Sequence, residues 1–160
     1  MVLQKKFLTK EQAINKLKQY CAYQERSHYE AGQKLWDLAV RSAEHDEIIS
    51  TLIEEDYLNE ERFAIAFAGG KFRIKNWGKK KIYYALKEKK VSEYNIKKAL
   101  KGLDDEAYQK TLKQLALKKY ASLKNEQHLV RKKKTMDYLL QKGYEPQMIT
   151  TALNAVIAKE

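Results

Sequence analysis

Three histidines, one cysteine, an acidic triplet and a Gly–Lys run are the first places to look for chemistry in this 160-residue sequence. His28, His45 and His128 lie far apart, with no Cys or Asp at metal-ligand spacing, so they read as surface or cap-edge residues and predict no metal site. Cys21 falls on the apolar face of a predicted helix and reads as a small core residue, which suits a reducing, intracellular compartment. Glu54, Glu55 and Asp56 are adjacent, so on a helix they diverge and cannot converge as an acid/base pair. Gly70 and Gly78-Lys79-Lys80 invite comparison with a phosphate loop. The seven intervening residues and the missing Ser/Thr after the lysines break that motif. Ser27, Ser42 and Ser92 are explained as helix caps, and neither Ser50 nor Ser122 has a base-bearing motif beside it. The expectation is a protein that is not an enzyme and uses no cofactor or small-molecule substrate.

What remains is basic and aromatic. The chain holds 32 Lys and Arg against 21 Asp and Glu, for a net charge of +11. Residues 1–57 are close to neutral at −2, residues 58–103 carry +9, and residues 104–160 carry +4. In the middle third Lys71, Arg73 and Lys75 alternate along one helix end, and Lys79, Lys80 and Lys81 open the next helix. Lys87, Lys89, Lys90, Lys97, Lys98 and Lys101 extend the field, and Arg131, Lys132, Lys133 and Lys134 form a second cluster. A solvated Lys-rich face is the plain alternative for any one cluster. Their crowding together predicts a surface for a polyanionic or acidic partner. Tyr83 and Tyr84 should place one ring inward and one outward.

These side chains need helices to position them, and the caps are explicit. Thr9…Gln12 and Ser27…Glu30 are capping boxes, in which the first side chain takes an orphan amide and the second reaches back. Ser42, Asn59, Ser92, Asp104 and Asn125 are expected to start further helices, and Pro146 suits the first turn of the last. Apolar residues recur at i, i+3, i+4 and i+7 throughout and no alternating strand pattern competes, so the fold class is all-α with nine helices. On the central helix Phe63, Ala66, Phe67, Gly70, Ile74 and Trp77 follow one such line. Gly69 and Gly70 inside it cost about 1 kcal/mol each against Ala, which predicts close approach of a neighbouring helix. In the eighth helix the expected inward residues are Leu129, Met136, Leu139 and Leu140.

The nine helices divide into three sets of three. A shift of 48 lays Leu38 on Leu86, Ile48 on Ile96 and Leu52 on Leu100. A shift of 53 lays Leu86 on Leu139, Ile96 on Ile149, Ala99 on Ala152 and Leu100 on Leu153. A period near 50 predicts tandem repeats, approximately 9–56, 57–103 and 104–158, each burying its face against the next in an elongated array. No run of about 18 apolar residues appears, so no transmembrane helix is expected. Met1–Lys6 lacks the apolar core of a secretory leader.

The run Tyr57-Leu58-Asn59-Glu60-Glu61-Arg62-Phe63-Ala64, with Trp77-Gly78-Lys79-Lys80-Lys81-Ile82 and Leu86, resembles the RecX family of recombination regulators. Family members usually read Tyr-Leu-Asp-Asp-x-Arg-Phe-Ala and later Gly-Pro-x-Arg-Ile-x-x-Glu-Leu. Here Asn59 and Glu60 replace the Asp pair, Lys79 the Pro, Lys81 the Arg and Ala85 the Glu. The resemblance implies three tandem three-helix repeats in a curved array and a structural role for Tyr57, Leu58, Phe63, Ala64, Trp77, Gly78, Ile82 and Leu86. It also implies a cytoplasmic regulator in recombination, DNA repair and the SOS response. Such a protein would bind the groove of a RecA–single-stranded-DNA filament and inhibit ATP hydrolysis, strand exchange and coprotease activity. Arg62, Lys71, Arg73, Lys75, Lys79, Lys80, Lys81, Lys87 and Arg131 to Lys134 are then the candidate contacts to the filament, or to single- or double-stranded DNA. The rival is a helical nucleic-acid-binding protein that acts without RecA. A third reading is a scaffold whose charge serves solubility.

Overall fold

Thr9 accepts from the Gln12 amide while the Gln12 side chain accepts from the Thr9 amide, and the chain enters its first helix there. The computed structural model describes residues 7–160, so the Met1–Lys6 segment lies outside the described residues. Among the described residues there are nine α-helices and no strand. They are α1 Lys10–Tyr23, α2 His28–Asp37, α3 His45–Glu54, α4 Glu60–Lys75, α5 Lys79–Glu88, α6 Glu93–Lys101, α7 Asp105–Ser122, α8 His128–Lys142 and α9 Pro146–Ala158. They pack in consecutive trios, α1–α3, α4–α6 and α7–α9. The accessible surface of 10725 Å² exceeds the about 8,300 Å² expected of a compact monomer of this mass, as an extended array requires.

The apolar positions build two cores, not three. Ala13, Leu17, Ala31, Leu35, Ile48, Leu52 and Leu58 form the first unit's core. One continuous cluster joins the second and third units, from Phe63, Ala64, Ala68 and Phe72 through Ile82, Leu86 and Ile96 to Tyr108, Leu139, Tyr144, Ile149 and Leu153. Cys21 sits at the edge of the first core, where burial pushes its thiol pKa up to about 11. A thiol held protonated in this way is a poor nucleophile.

Each unit closes its second helix with the same device. Ala39, Lys90 and Gly143 take left-handed backbone, with φ of 55°, 61° and 99°. The next residue turns inward, and its amide donates to a carbonyl five residues back: Val40 to Leu35 at 3.0 Å, Val91 to Leu86 and Tyr144 to Leu139 at 3.2 Å. This is the Schellman bond, which satisfies a carbonyl the helix end would otherwise leave open. It fixes the register of the repeats and corrects one alignment, because Leu35, not Leu38, corresponds to Leu86.

Other expectations also change. Ser42 opens a single 3₁₀ turn, Ser42–Glu44, and α3 starts at His45 with no side-chain cap. Asn125 lies in the turn before α8, whose N-cap position is Gln127, again without a side-chain bond. The burial line of α4 is rotated from the expected one. Phe63, Ala64, Ala68, Gly69 and Phe72 face the core, while Ala66 is exposed and Ile74 is 79% exposed. Small Ala64 and Ala68 let α4 pack along that line, so two competing apolar stripes share one helix. On α8, Leu129 is 76% and Leu140 41% exposed, and Thr135 and Arg131 are inside instead. Ile53, near the end of α3, is 43% exposed.

Candidate functional site

The basic corner of the molecule is made where α4 ends and α5 begins, and backbone chemistry holds it there. Asn59 accepts from the Arg62 amide to start α4, and Asn76 ends it in left-handed conformation with φ 58°. Gly78 is the N-cap position of α5 but has no side chain with which to cap it. Its amides are instead met by the C-terminus of α8: Gly78 N–H donates to the Lys142 carbonyl at 2.7 Å, and Lys80 N–H to the Gly143 carbonyl at 2.9 Å. The intervening Lys79 amide donates to the Tyr108 hydroxyl at 2.9 Å, which itself donates to Glu145 at 2.5 Å. A Cβ at Gly78 would overlap the Gly143 carbonyl and the Tyr144 amide, so this is the glycine that close approach demands. Complementary bonds run back to α4, whose terminal carbonyls at Lys75 and Asn76 accept from the Lys142 ammonium at 3.1 Å and the Tyr144 hydroxyl at 3.0 Å. Burial raises the pKa of both Tyr108 and Tyr144, and Glu145 raises both further.

Gly69 and Gly70 have no such role. A Cβ on Gly69 would meet only the guanidinium of Arg73, folded back over its own helix, and one on Gly70 would meet nothing within 4 Å. No neighbouring helix approaches Gly70. The close approach expected there belongs to Gly78.

The basic residues of the middle unit separate into two kinds. Arg62 is committed inside the chain, donating to Glu25 at 2.6 Å and to the Asp56 carboxylate and carbonyl at 3.1 and 2.9 Å. Lys79 lies 3.8 Å from Asp105, and Lys87 lies 3.2 Å from Glu93. By contrast Lys71, Arg73, Lys75, Lys80, Lys81, Lys90, Lys97 and Lys101 have no acid within 4.0 Å among the described residues. Lys71 and Lys81 instead bracket the Trp77 ring, with their ammonium groups 4.9 and 4.7 Å from its centre. Such contacts hold the stems while leaving the charge available to a partner.

Two open grooves flank the corner. One, of about 450 Å³, runs between α4 and the α1–α2 turn, with Lys71, Lys75 and Lys89 at its edge. The other, of about 540 Å³, is lined by Trp77, Lys80, Lys81, Tyr84, Leu140 and Gln141. Tyr84 is 66% exposed beside the half-buried Tyr83, the inward and outward pair that the sequence predicts.

The second basic cluster divides between one buried residue and three nearer the surface. Arg131 is buried: it donates to the Tyr120 carbonyl at 2.8 Å, stacks over the Tyr120 ring at 3.5 Å and chelates Glu160 with two 3.0 Å bonds. A charge so enclosed caps the fold from within. The first unit repeats the device, with Arg26 donating to the Tyr20 carbonyl and stacking on its ring. Lys133 pairs with Asp137 and Lys134 with Glu126, at 2.7 and 2.6 Å, while Lys132 is half-buried without an acid partner. Among the family-motif residues Leu58, Phe63, Ala64, Gly78, Ile82 and Leu86 are buried, and Tyr57 and Trp77 pack half-buried on the two cores.

Residues 59–100 match the family described as RecX, second three-helix domain, and residues 105–153 the RecX third three-helix domain. A regulatory protein RecX of Clostridium perfringens (strain 13 / Type A) is 34% identical over 146 residues, covering 88% of this chain and 68% of that protein. The regulatory protein RecX of Prosthecochloris aestuarii is 30% identical over 149 residues, covering 91% and 93%. The fold is similar to a crystal structure of RecX from Lactobacillus salivarius, with a TM-score of 0.84 at 23% identity over 93% of this chain and 97% of that one.

Proposed function

Because this chain belongs to the RecX family of regulatory proteins, we propose that it regulates RecA by binding along the groove of the RecA–single-stranded-DNA filament. It acts there without catalysis of its own, in the cytoplasm, and lowers ATP hydrolysis, strand exchange and coprotease activity. The observation that carries this reading is the corner between α4 and α5. Lys71, Arg73, Lys75, Lys80 and Lys81 have no acid within 4.0 Å there among the described residues, while in the third unit's cluster Arg131 is buried on Glu160 and Lys133 and Lys134 hold surface ion pairs. A helical array presenting such a field can reach successive acidic or phosphate-bearing surfaces of a repeating filament. No helix among the described residues is long and apolar enough to cross a membrane.

The rival, nucleic-acid binding without RecA, is favoured by the groove in which Trp77 and Tyr84 stand beside Lys80 and Lys81, since rings flanked by cations suit unpaired bases. Binding to RecA filaments and to bare single-stranded DNA at physiological salt separates the two. The filament should bind far more tightly and its ATPase should be inhibited. Equal affinity for the two, with ATP hydrolysis untouched, contradicts the RecA reading. For the rival, neutralising Lys80 and Lys81 should flatten the salt dependence by about 0.7 for each phosphate that is no longer neutralised.

A further inference from the structure

We propose that the groove between α4 and the α1–α2 turn is a docking site for a protein segment with aliphatic side chains and flanking acidic residues. The proposal rests on the filament reading and assigns that segment to the filament protein. The groove's floor is the second apolar line of α4, Ala66, Phe67, Gly70 and Ile74, together with buried Phe63, and only the two phenylalanines of this set also belong to or pack on the shared core; Gln24 and Glu25 line the α1–α2 side. Helix α4 already buries Phe63, Ala64, Ala68 and Phe72 in the shared core, so Ala66, Gly70 and Ile74 contribute little to folding. Gly70 makes the point most sharply. Glycine weakens a helix relative to alanine, yet a Cβ here would meet no atom of this protein within 4 Å. The bare backbone leaves room for an incoming chain, and Ile74, 79% exposed, gives it an aliphatic contact one turn further on.

Charge selects the occupant. The acidic side of the groove is neutralised within the fold, because Glu25 accepts from Arg62 at 2.6 Å and Glu30 lies 3.6 Å from Lys89. Among the described residues, the Lys71 and Lys75 ammonium groups at the other end have no acid within 4.0 Å. The unbalanced charge is positive beside an aliphatic floor. That pairing suits an acidic amphipathic segment, which lays its apolar side chains in a groove and its carboxylates on the rim. A nucleic-acid strand would need exposed rings for its bases, and the floor's two phenylalanines are mostly enclosed: Phe63 is buried and the half-buried Phe67 is covered by Lys71 at 5.4 Å.

Purified RecA–single-stranded-DNA filaments test the assignment, with bare single-stranded DNA alongside. Gly70→Ala should raise the melting midpoint, and Gly70→Leu should keep the helical spectrum. Gly70→Leu and Lys75→Glu should each weaken filament binding by about tenfold or more, the range expected for obstructing one docking pocket. Gly70→Leu should leave affinity for bare DNA unchanged. A photoreactive benzoylphenylalanine in place of Ile74 should crosslink to a filament-protein peptide containing aliphatic and acidic residues. Wild-type affinity for the filament with equal affinity for Gly70→Leu overturns the groove and leaves the filament reading standing. Crosslinking to DNA alone also overturns it and makes the groove a nucleic-acid site. Failure of wild type to prefer filament over bare DNA removes both.

Discussion

Between α5 and α8 backbone meets backbone, whereas between the first unit and α4 the polar contacts are made by side chains. At the first junction Gly78 and Lys80 donate amides to the carbonyls of Lys142 and Gly143, over a core that runs through both units. At the second, Arg62 reaches Glu25 and Lys89 reaches Glu30 across a groove, each unit keeps its own core, and no backbone hydrogen bond crosses among the described residues. Backbone bonds within a buried junction are short, fixed and unscreened. Half-exposed ion pairs tolerate rearrangement and weaken in salt. The second and third units therefore share a backbone-bonded junction over a common core, and the first unit meets them through side-chain ion pairs beside the groove proposed for docking.

Removing the tight approach should have the largest effect. Gly78→Leu forces apart the backbones of α5 and α8, and overpacking together with the rupture of two amide bonds should cost about 3 kcal/mol or more. Urea unfolding should show a lower midpoint for the joined second and third units. A first-unit probe such as the fluorescence of Trp36 should move much less. Coincident, equal shifts would mean that the two junctions are equally coupled.

Tyr108→Phe sharpens the same point. It leaves the Lys79 amide without its acceptor and Glu145 without its donor, for a loss of about 1–3 kcal/mol. The pH dependence has a definite sign. Burial raises Tyr108 and Tyr144 above the ordinary 10.0, so the folded state holds protons that the unfolded state releases. Their contribution is fully present below pH 10.0 and is lost as pH rises through the elevated values. Ultraviolet titration should show these two hydroxyls ionising only with unfolding, and Tyr108→Phe should shallow the alkaline decline. Early ionisation of all tyrosines in a folded chain would contradict the buried junction.

The smallest change should come from Arg62→Ala. Its guanidinium is 38% exposed, so solvent screening limits the loss to about 1 kcal/mol or less, smaller still in salt. Its clearer signature should be dynamic: faster amide exchange in the Tyr57–Arg62 segment and a wider spread of distances between labels on the first and second units. An unfolding midpoint lowered as far as by Gly78→Leu would erase the distinction between the junctions.

The sequence reveals the helices well where local rules act alone. Thr9, Ser27, Asn59, Ser92 and Asp104 each accept the amide that their spacing predicts. It fails where a helix has two apolar lines, because periodicity cannot choose between Phe63–Phe67–Gly70–Ile74 and Ala64–Ala68–Phe72. Only the partner α6 decides that. Arg131 looks like its lysine neighbours until folding brings Tyr120 and Glu160 around it. The same limit hides the junction, since nothing local to Gly78 reveals that Gly143 lies against it. One signal was legible: a glycine at the end of α8 followed by a large aromatic residue, the pattern of a left-handed cap and an inward-turning side chain.

Covalent labelling of lysine amines, with and without the RecA–single-stranded-DNA filament, tests whether the α4–α5 corner meets the filament. Lys75, Lys80 and Lys81 should lose reactivity on the filament and retain it with bare single-stranded DNA at physiological salt. Lys133, paired with Asp137 on the third unit, should stay equally reactive throughout. Protection of Lys133 and Lys134 with Lys75, Lys80 and Lys81 unchanged, or the same protection by DNA alone, would contradict that contact.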